Sequence, residues 1–274
     1  MERLLKVESL AKVYNVGFFS RKSIVAVDNV SFTLDEGEIV SVVGESGSGK
    51  TTMAKVILRL LPPTSGRVIF EGRDVWSLKS RDELKWYWSR VHGIFQDPYA
   101  SYNPLHKVER ILYQALNLLD NKGVGDPDEM VKEALKQVGL KPEHVLGKYP
   151  HELSGGMRQR IMIARCFMLK PKLVIADEPT SMIDASTRAG ILDLFLKLRE
   201  ENKTSVMFIT HDLGLAYYVS DRILVMYKGR IVDEKAPDEL LEKAEHPYTR
   251  RLLQDVPLLY RKWGEPLKVI NAER

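Results

Sequence analysis

Two stretches of this chain carry residue types whose spacing suits phosphate chemistry. The first is Gly44-Glu45-Ser46-Gly47-Ser48-Gly49-Lys50-Thr51, followed by Thr52. In a glycine-rich loop, successive backbone N–H groups can turn inward toward phosphate oxygens, and the helix that follows adds the positive end of its dipole. Lys50 would then neutralise the outer phosphates of a bound nucleotide, and Thr51 would offer a hydroxyl to Mg²⁺. The second stretch is Leu173-Val174-Ile175-Ala176-Asp177-Glu178, an apolar run ending in two carboxylates. Asp177 would stand at the carboxyl end of a central strand, where ligands bind in open α/β sheets, and could hold Mg²⁺ through a water. Glu178 would point elsewhere, free to polarise a water for in-line attack on phosphorus.

Such groups need rigid elements to hold them. Ile39 to Val43 is apolar at nearly every residue, as in a strand buried on both faces of a parallel sheet, and it feeds directly into the glycine loop. A helix is expected from Thr51 to Leu61, stopped by Pro62-Pro63. That strand–loop–helix context separates a phosphate loop from a chance Gly/Ser-rich turn. Ser23 to Leu34 alternates as a strand, and Arg67 to Phe70 turns at Glu71-Gly72 like a hairpin. From Val108 to about Ala164 the periodicity becomes helical, interrupted by a loop-like stretch, Asp120 to Pro127. Leu173–Ala176, Ser205–Thr210 and Ile223–Tyr227 are expected as buried strands. A helix from Ser186 to Asn202 separates the first two in a βαβ pattern, and the third pairs with Arg230–Asp233 across Lys228-Gly229. The expected fold is α/β: a phosphate-loop core with an N-terminal antiparallel β subdomain and an inserted α-helical subdomain. Core and β subdomain would take residues 1–96 and 165–235, the insertion about 97–164, and a C-terminal extension 236–274.

Composition excludes several classes. The 274 residues are 44% hydrophobic with a net charge of +4, from 41 basic and 37 acidic residues that are mixed along the chain. Mixed charge describes a solvated surface and not a nucleic-acid footprint. The single cysteine, Cys166, excludes an internal disulfide or a cysteine-rich metal site and sits in an apolar helical run as a small core residue. Met1 to Lys6 is charged with no apolar run behind it, so no secretory signal is expected. The longest apolar candidate, Ile161 to Ala176, is broken by Arg165, Lys170, Pro171 and Lys172, short of the roughly 20 residues a membrane span needs.

Between the two phosphate-type stretches lies Leu153-Ser154-Gly155-Gly156-Met157-Arg158-Gln159. Ser154 is a good N-cap, and free N–H groups at the start of a helix make a second anion site. One chain has no evident use for two triphosphate sites. The order of the three elements resembles the ATP-binding cassette (ABC) ATPases, in which two subunits pack head to tail. Each ATP then lies between the phosphate loop of one subunit and the signature of the other. The resemblance covers nearly the whole chain and implies further roles. Tyr14 would stack on adenine. Gln96 would touch Mg²⁺ and the attacking water and link to the membrane partner. His211, after Phe208-Ile209-Thr210, would contact the γ-phosphate. Ser181-Met182-Ile183-Asp184 matches the D-loop, usually Ser-Ala-Leu-Asp, with Asp184 retained. Ser154, Gly155, Gly156 and Asp184 would thus join the phosphate loop around ATP.

Gly44-Glu45-Ser46-Gly47, Gln96 to Pro104, Tyr149 to Leu153 and His246-Pro247-Tyr248-Thr249-Arg250 look like the ATPase subunits of importers for oligopeptides, dipeptides and nickel, whose relatives include oligosaccharide carriers. The implied partners are a second ATPase subunit, identical or paralogous, two transmembrane permease subunits, and indirectly an extracytoplasmic solute-binding protein. The implied location is the cytoplasmic face of the membrane, held peripherally. Many relatives carry a longer C-terminal tail, some with an iron–sulfur cluster; the short tail after Leu253 predicts none. Two rivals remain. A soluble ABC ATPase of DNA repair or translation usually brings coiled-coil insertions or paired cassettes, and a phosphate-loop kinase leaves Leu153–Gln159 and His211 unexplained.

Overall fold

In the computed structural model the described residues are 3–16, 22–96, 102–119 and 125–254. The expectations for Asp97 to Ser101, for the Asp120–Val124 loop and for the tail beyond Gln254 lie outside them. In chain order the elements are β1 (Arg3–Val16), β2 (Lys22–Asp35), β3 (Ile39–Val43), α1 (Lys50–Ile57), β4 (Ser65–Phe70), β5 (Arg73–Asp74), α2 (Arg81–Arg90) and β6 (Val91–Ile94). Three helices follow, α3 (Arg110–Leu116), α4 (Pro127–Gln137) and α5 (Gly155–Leu169). The chain then returns to alternation with β7 (Leu173–Asp177), α6 (Ala185–Asn202), β8 (Ser205–Thr210), α7 (Leu213–Val219), β9 (Arg222–Tyr227) and β10 (Arg230–Lys235). It closes with α8 (Pro237–Lys243) and α9 (Pro247–Gln254).

Two sheets result. The larger has the order β10-β9-β3-β8-β7-β6, with β9, β3, β8, β7 and β6 parallel and β10 an antiparallel edge. The smaller, β2-β1-β4-β5, is antiparallel. Every residue of β3, β7 and β8 is buried, and successive side chains serve different cores. Val174, Ala176, Val206 and Phe208 pack with α3, α4, α5 and α6, whereas Leu173, Ile175, Met207 and Ile209 pack with α1 and the smaller sheet. The period of two survives even though both faces are apolar. Cys166 lies in the first of these cores, where burial pushes its thiol up to about 11. A third, small core joins Val43, Ile223 and Val225 to Leu240 and Tyr248 of the C-terminal helices.

The structure adds elements to those expected, and α5 runs on to Leu169, past the expected limit near Ala164. The helix after the phosphate loop ends at Ile57 and not at Leu61. Arg59 turns left-handed (φ 60°), the Leu60 N–H returns to the Lys55 carbonyl at 2.9 Å, and Arg59 Nε is fixed on the Val75 carbonyl at 3.1 Å. This left-handed cap closes the helix locally before its prolines are reached, and the Val75 carbonyl pins the Arg59 side chain. The strand β1 belongs to the expected N-terminal antiparallel subdomain but has no clean alternation of its own, since Ser9 (φ 45°) and register shifts between Val7 and Val13 interrupt it. The helix α2 lies outside the expected helices, and its capping box, Ser80 with Glu83, is the local signal that marks it.

Candidate nucleotide site

The parallel strands bring separated segments to one edge. The carboxyl ends of β3, β8, β7 and β6, neighbours in that order, lead respectively into the glycine loop, His211, Asp177-Glu178 and Gln96. Along the chain these positions run loop, Gln96, Asp177, His211, so the sheet reorders them.

The phosphate loop is held from several sides. A Cβ on Gly49 (φ 109°) would lie 2.2 Å from the Ala26 carbonyl of β2, and one on Gly44 would lie 2.2 Å from the Met226 carbonyl of β9. No side chain fits at either position. The β9–β10 turn, with Lys228 (φ 48°) and Gly229 (φ 84°) both left-handed, sends the Gly229 N–H to the Ser48 carbonyl at 2.9 Å. Ser48 N–H donates to the Glu45 carbonyl at 3.2 Å, and the Glu45 N–H donates to the Tyr248 hydroxyl at 2.8 Å. Ser46 is exposed, and Thr52 is half-buried. Lys50, 6% exposed, turns back on the loop, with Nζ donating to the carbonyls of Gly44 (2.6 Å) and Glu45 (2.9 Å). Burial lowers its pKa, against the opposing pull of Glu178, Asp177 and Glu45. The pocket thus holds a desolvated cation resting on carbonyl dipoles, ready for exchange onto an anion.

Asp177 and Glu178 diverge as expected, and the cause is visible. Glu178 takes a left-handed backbone (φ 51°), costing about 1–2 kcal/mol for a residue with a Cβ. Its N–H donates to the Ile209 carbonyl at 2.9 Å, and Ser181 Oγ donates to the Glu178 carbonyl at 3.0 Å. Asp177, still on the strand, stays buried. Burial raises its pKa, opposed first by a hydrogen bond from Thr51, and Oδ1 is buried with no hydrogen-bond partner. The Glu178 carboxylate instead meets His211 Nδ1 at 2.8 and 2.9 Å. A buried carboxylate oxygen without a partner, beside a threonine hydroxyl, suits a hard divalent cation.

The signature and D-loop residues line a hollow of their own. Ser154 caps α5, its Oγ accepting from Met157 N–H at 3.2 Å. The buried Arg158 braces the preceding turn, donating to the Pro150 and Leu153 carbonyls at 2.6 Å each. Ser154, Gly155 and Gly156 share a hollow with Met182, Ile183 and Asp184, and no phosphate-loop residue lines it. The structure therefore joins the signature to the D-loop but not to Lys50 of the same chain. Gln96 is exposed just beyond β6. Tyr14, half-buried on β1, pairs with Ile24 of β2, the strand that carries Ala26 against Gly49. Lys12 Nζ stands 5.6 Å from the Tyr14 ring centre. The motif around Tyr248 is visible in the sequence, whereas its contact with the loop exists only in the fold.

A phosphate loop on a doubly wound sheet, with a second glycine-rich helix start in a separate hollow, defines a nucleotide-binding cassette. The ABC transporter family model matches residues 27–181, and the chain belongs to this family as its ATP-binding cassette. It is 42% identical over 261 residues to a probable peptide ABC transporter ATP-binding protein, y4tS, of Sinorhizobium fredii, covering 94% of this chain and 73% of that one. It is 41% identical over 276 residues to the oligopeptide transport ATP-binding protein OppF of Streptococcus mutans, covering 100% and 85%. Among solved structures, the dimeric post-hydrolysis state of the cassette MJ0796 bound to ADP and Pi aligns with a TM-score of 0.76 at 30% identity, over 85% of this chain and 98% of that one.

Proposed function

We propose that this chain is the ATP-hydrolysing subunit of a peptide importer, working as a head-to-tail pair with ATP held between the phosphate loop of one subunit and the signature of the other. The observation that carries the reading is the split site: Lys50, Asp177, Glu178 and His211 gather at one sheet edge while Ser154 to Gly156 open elsewhere with Asp184. The peptide cargo rests on the likeness to peptide and oligopeptide import subunits.

The residues have distinct tasks. Lys50 exchanges its carbonyl partners for phosphate oxygens, trading dipoles for charge-assisted hydrogen bonds. Thr51 and Asp177, joined by Gln96, would hold Mg²⁺, which would neutralise charge on the phosphates when bound. Glu178 orients and polarises the attacking water, and His211, on the same carboxylate, fixes that side chain and reaches toward the γ-phosphate. Tyr14 would stack on the base. Catalysis is then mostly positioning and charge neutralisation.

A groove of about 410 Å³ runs between core and helical insertion, near Gln96, lined among others by Leu58, Trp88, Phe95 and Met162, with His92 and Arg165. It supports docking of a permease subunit. No helix among the described residues is long and apolar enough to cross a membrane, so membrane work falls to such partners. The test is tagged Glu178→Gln with MgATP, assayed for dimer formation by light scattering and then used as bait in native membranes. A MgATP-dependent dimer that brings down polytopic membrane proteins supports the proposal. A monomer in saturating MgATP, or capture of DNA or ribosomes alone, overturns it.

A further inference from the structure

The Gly44–Glu45 peptide unit is gripped at both ends. Its carbonyl accepts Lys50 Nζ at 2.6 Å, and its N–H donates to the Tyr248 hydroxyl at 2.8 Å. Tyr248 belongs to α9, far along the chain from the loop it touches. It is 8% exposed and stacks on Tyr227 of β9 with ring centres 4.3 Å apart. The start of α9 is itself anchored. The buried Asp233 of β10 accepts the His246 N–H at 3.1 Å and the Thr249 hydroxyl. A continuous chain of hydrogen bonds and ring contact therefore runs from the C-terminal helix to the first turn of the phosphate loop.

We infer that Tyr248 is a positioning residue of the phosphate loop, through which α9 sets the affinity for ATP. The hydroxyl fixes the plane of the peptide whose oxygen holds Lys50 at rest. Without it the Glu45 N–H loses its partner, the peptide is free to rotate, and the loop must be ordered at the expense of binding free energy. The coupling is reciprocal, so phosphates that draw Lys50 away from the Gly44 carbonyl also alter the hold on α9.

The inference rests on the nucleotide reading of the loop, and Tyr248→Phe separates the two. It removes one oxygen and keeps the stack on Tyr227. In the full chain, the ATP KM and the Kd for MgADP by calorimetry should rise about three- to tenfold, the effect of one lost hydrogen bond of ordinary strength. The kcat should stay at the wild-type value, the nucleotide-free melting temperature should fall by no more than a few degrees because the bond is also present in that state, and the Glu45 amide should exchange faster with solvent. Tyr218→Phe, which loses a hydroxyl bonded to Asp193 at 3.1 Å, should leave the KM unchanged. Thr249→Val, which loosens α9 while leaving the hydroxyl in place, should move KM the same way by less. A wild-type KM in Tyr248→Phe, or a kcat and melting temperature that fall together at constant KM, would overturn the inference. Failure of the wild type to bind MgADP would instead sink the nucleotide reading beneath it.

Discussion

The phosphate loop and the signature turn are both glycine-rich helix starts, yet they are built to opposite ends. The loop is enclosed: Gly44 and Gly49 press against carbonyls of β9 and β2, Lys50 is buried, and the Glu45 and Ser48 peptides are bonded to the C-terminal third of the chain. The signature is open. Ser154 is exposed and its side chain satisfies one N–H of α5, while the bracing, by Arg158, lies behind it. An enclosed loop has its charge balance completed within one subunit. On the proposed pairing, the open helix start is half of a site that a second subunit completes.

This contrast can be broken or sharpened by mutation. The largest effect is expected from Glu178→Gln, which keeps ATP binding and lowers kcat by about 10²–10⁴-fold, as loss of a general base does. Equal turnover by wild type and variant would remove Glu178 from the chemistry. Lys50→Ala should weaken nucleotide binding itself by about 10–100-fold, measured by calorimetry on the monomer, since charge-assisted hydrogen bonds are lost. Ser154→Ala is the sharper probe. Monomer affinity should be unchanged, while hydrolysis at high protein concentration falls and stability drops by about 1 kcal/mol from the lost cap. A weakened monomer affinity would mean that the signature serves its own loop.

The smallest effect concerns stability and pH. Burial raises the Asp177 pKa above its ordinary 3.8, so the folded state binds more protons than the unfolded state between those two values. Stability of the nucleotide-free protein is therefore lost as pH rises through that window. Asp177→Asn should melt higher than wild type at neutral pH, with the gap closing below pH 3.8, where both states of the wild type are protonated. The same variant should lose Mg²⁺-dependent hydrolysis. An unchanged melting temperature at neutral pH would show that the buried charge is already compensated.

Local patterns in the sequence carried the motifs and the elements that hold them. An apolar run ending in glycines, or in Asp-Glu, is short-range information, because strand burial, turn chemistry and helix capping depend on neighbouring residues. The resemblance carried by Leu153–Gln159 and His211 then supplied the paired architecture. Where the pattern is interrupted, as at Ser9 in β1, or where a helix stops in a left-handed turn with no glycine to mark it, as at Arg59, the local signal fails.

Only the tertiary structure decided which groups meet. Sheet order placed His211 between the loop and Glu178, the left-handed Glu178 turned its carboxylate onto that histidine, and Tyr248 arrived at Glu45 from the far end of the chain. These are long-range pairings set by strand crossover and packing. No periodicity in the sequence encodes them, because the residues involved are neighbours only after the sheet has formed.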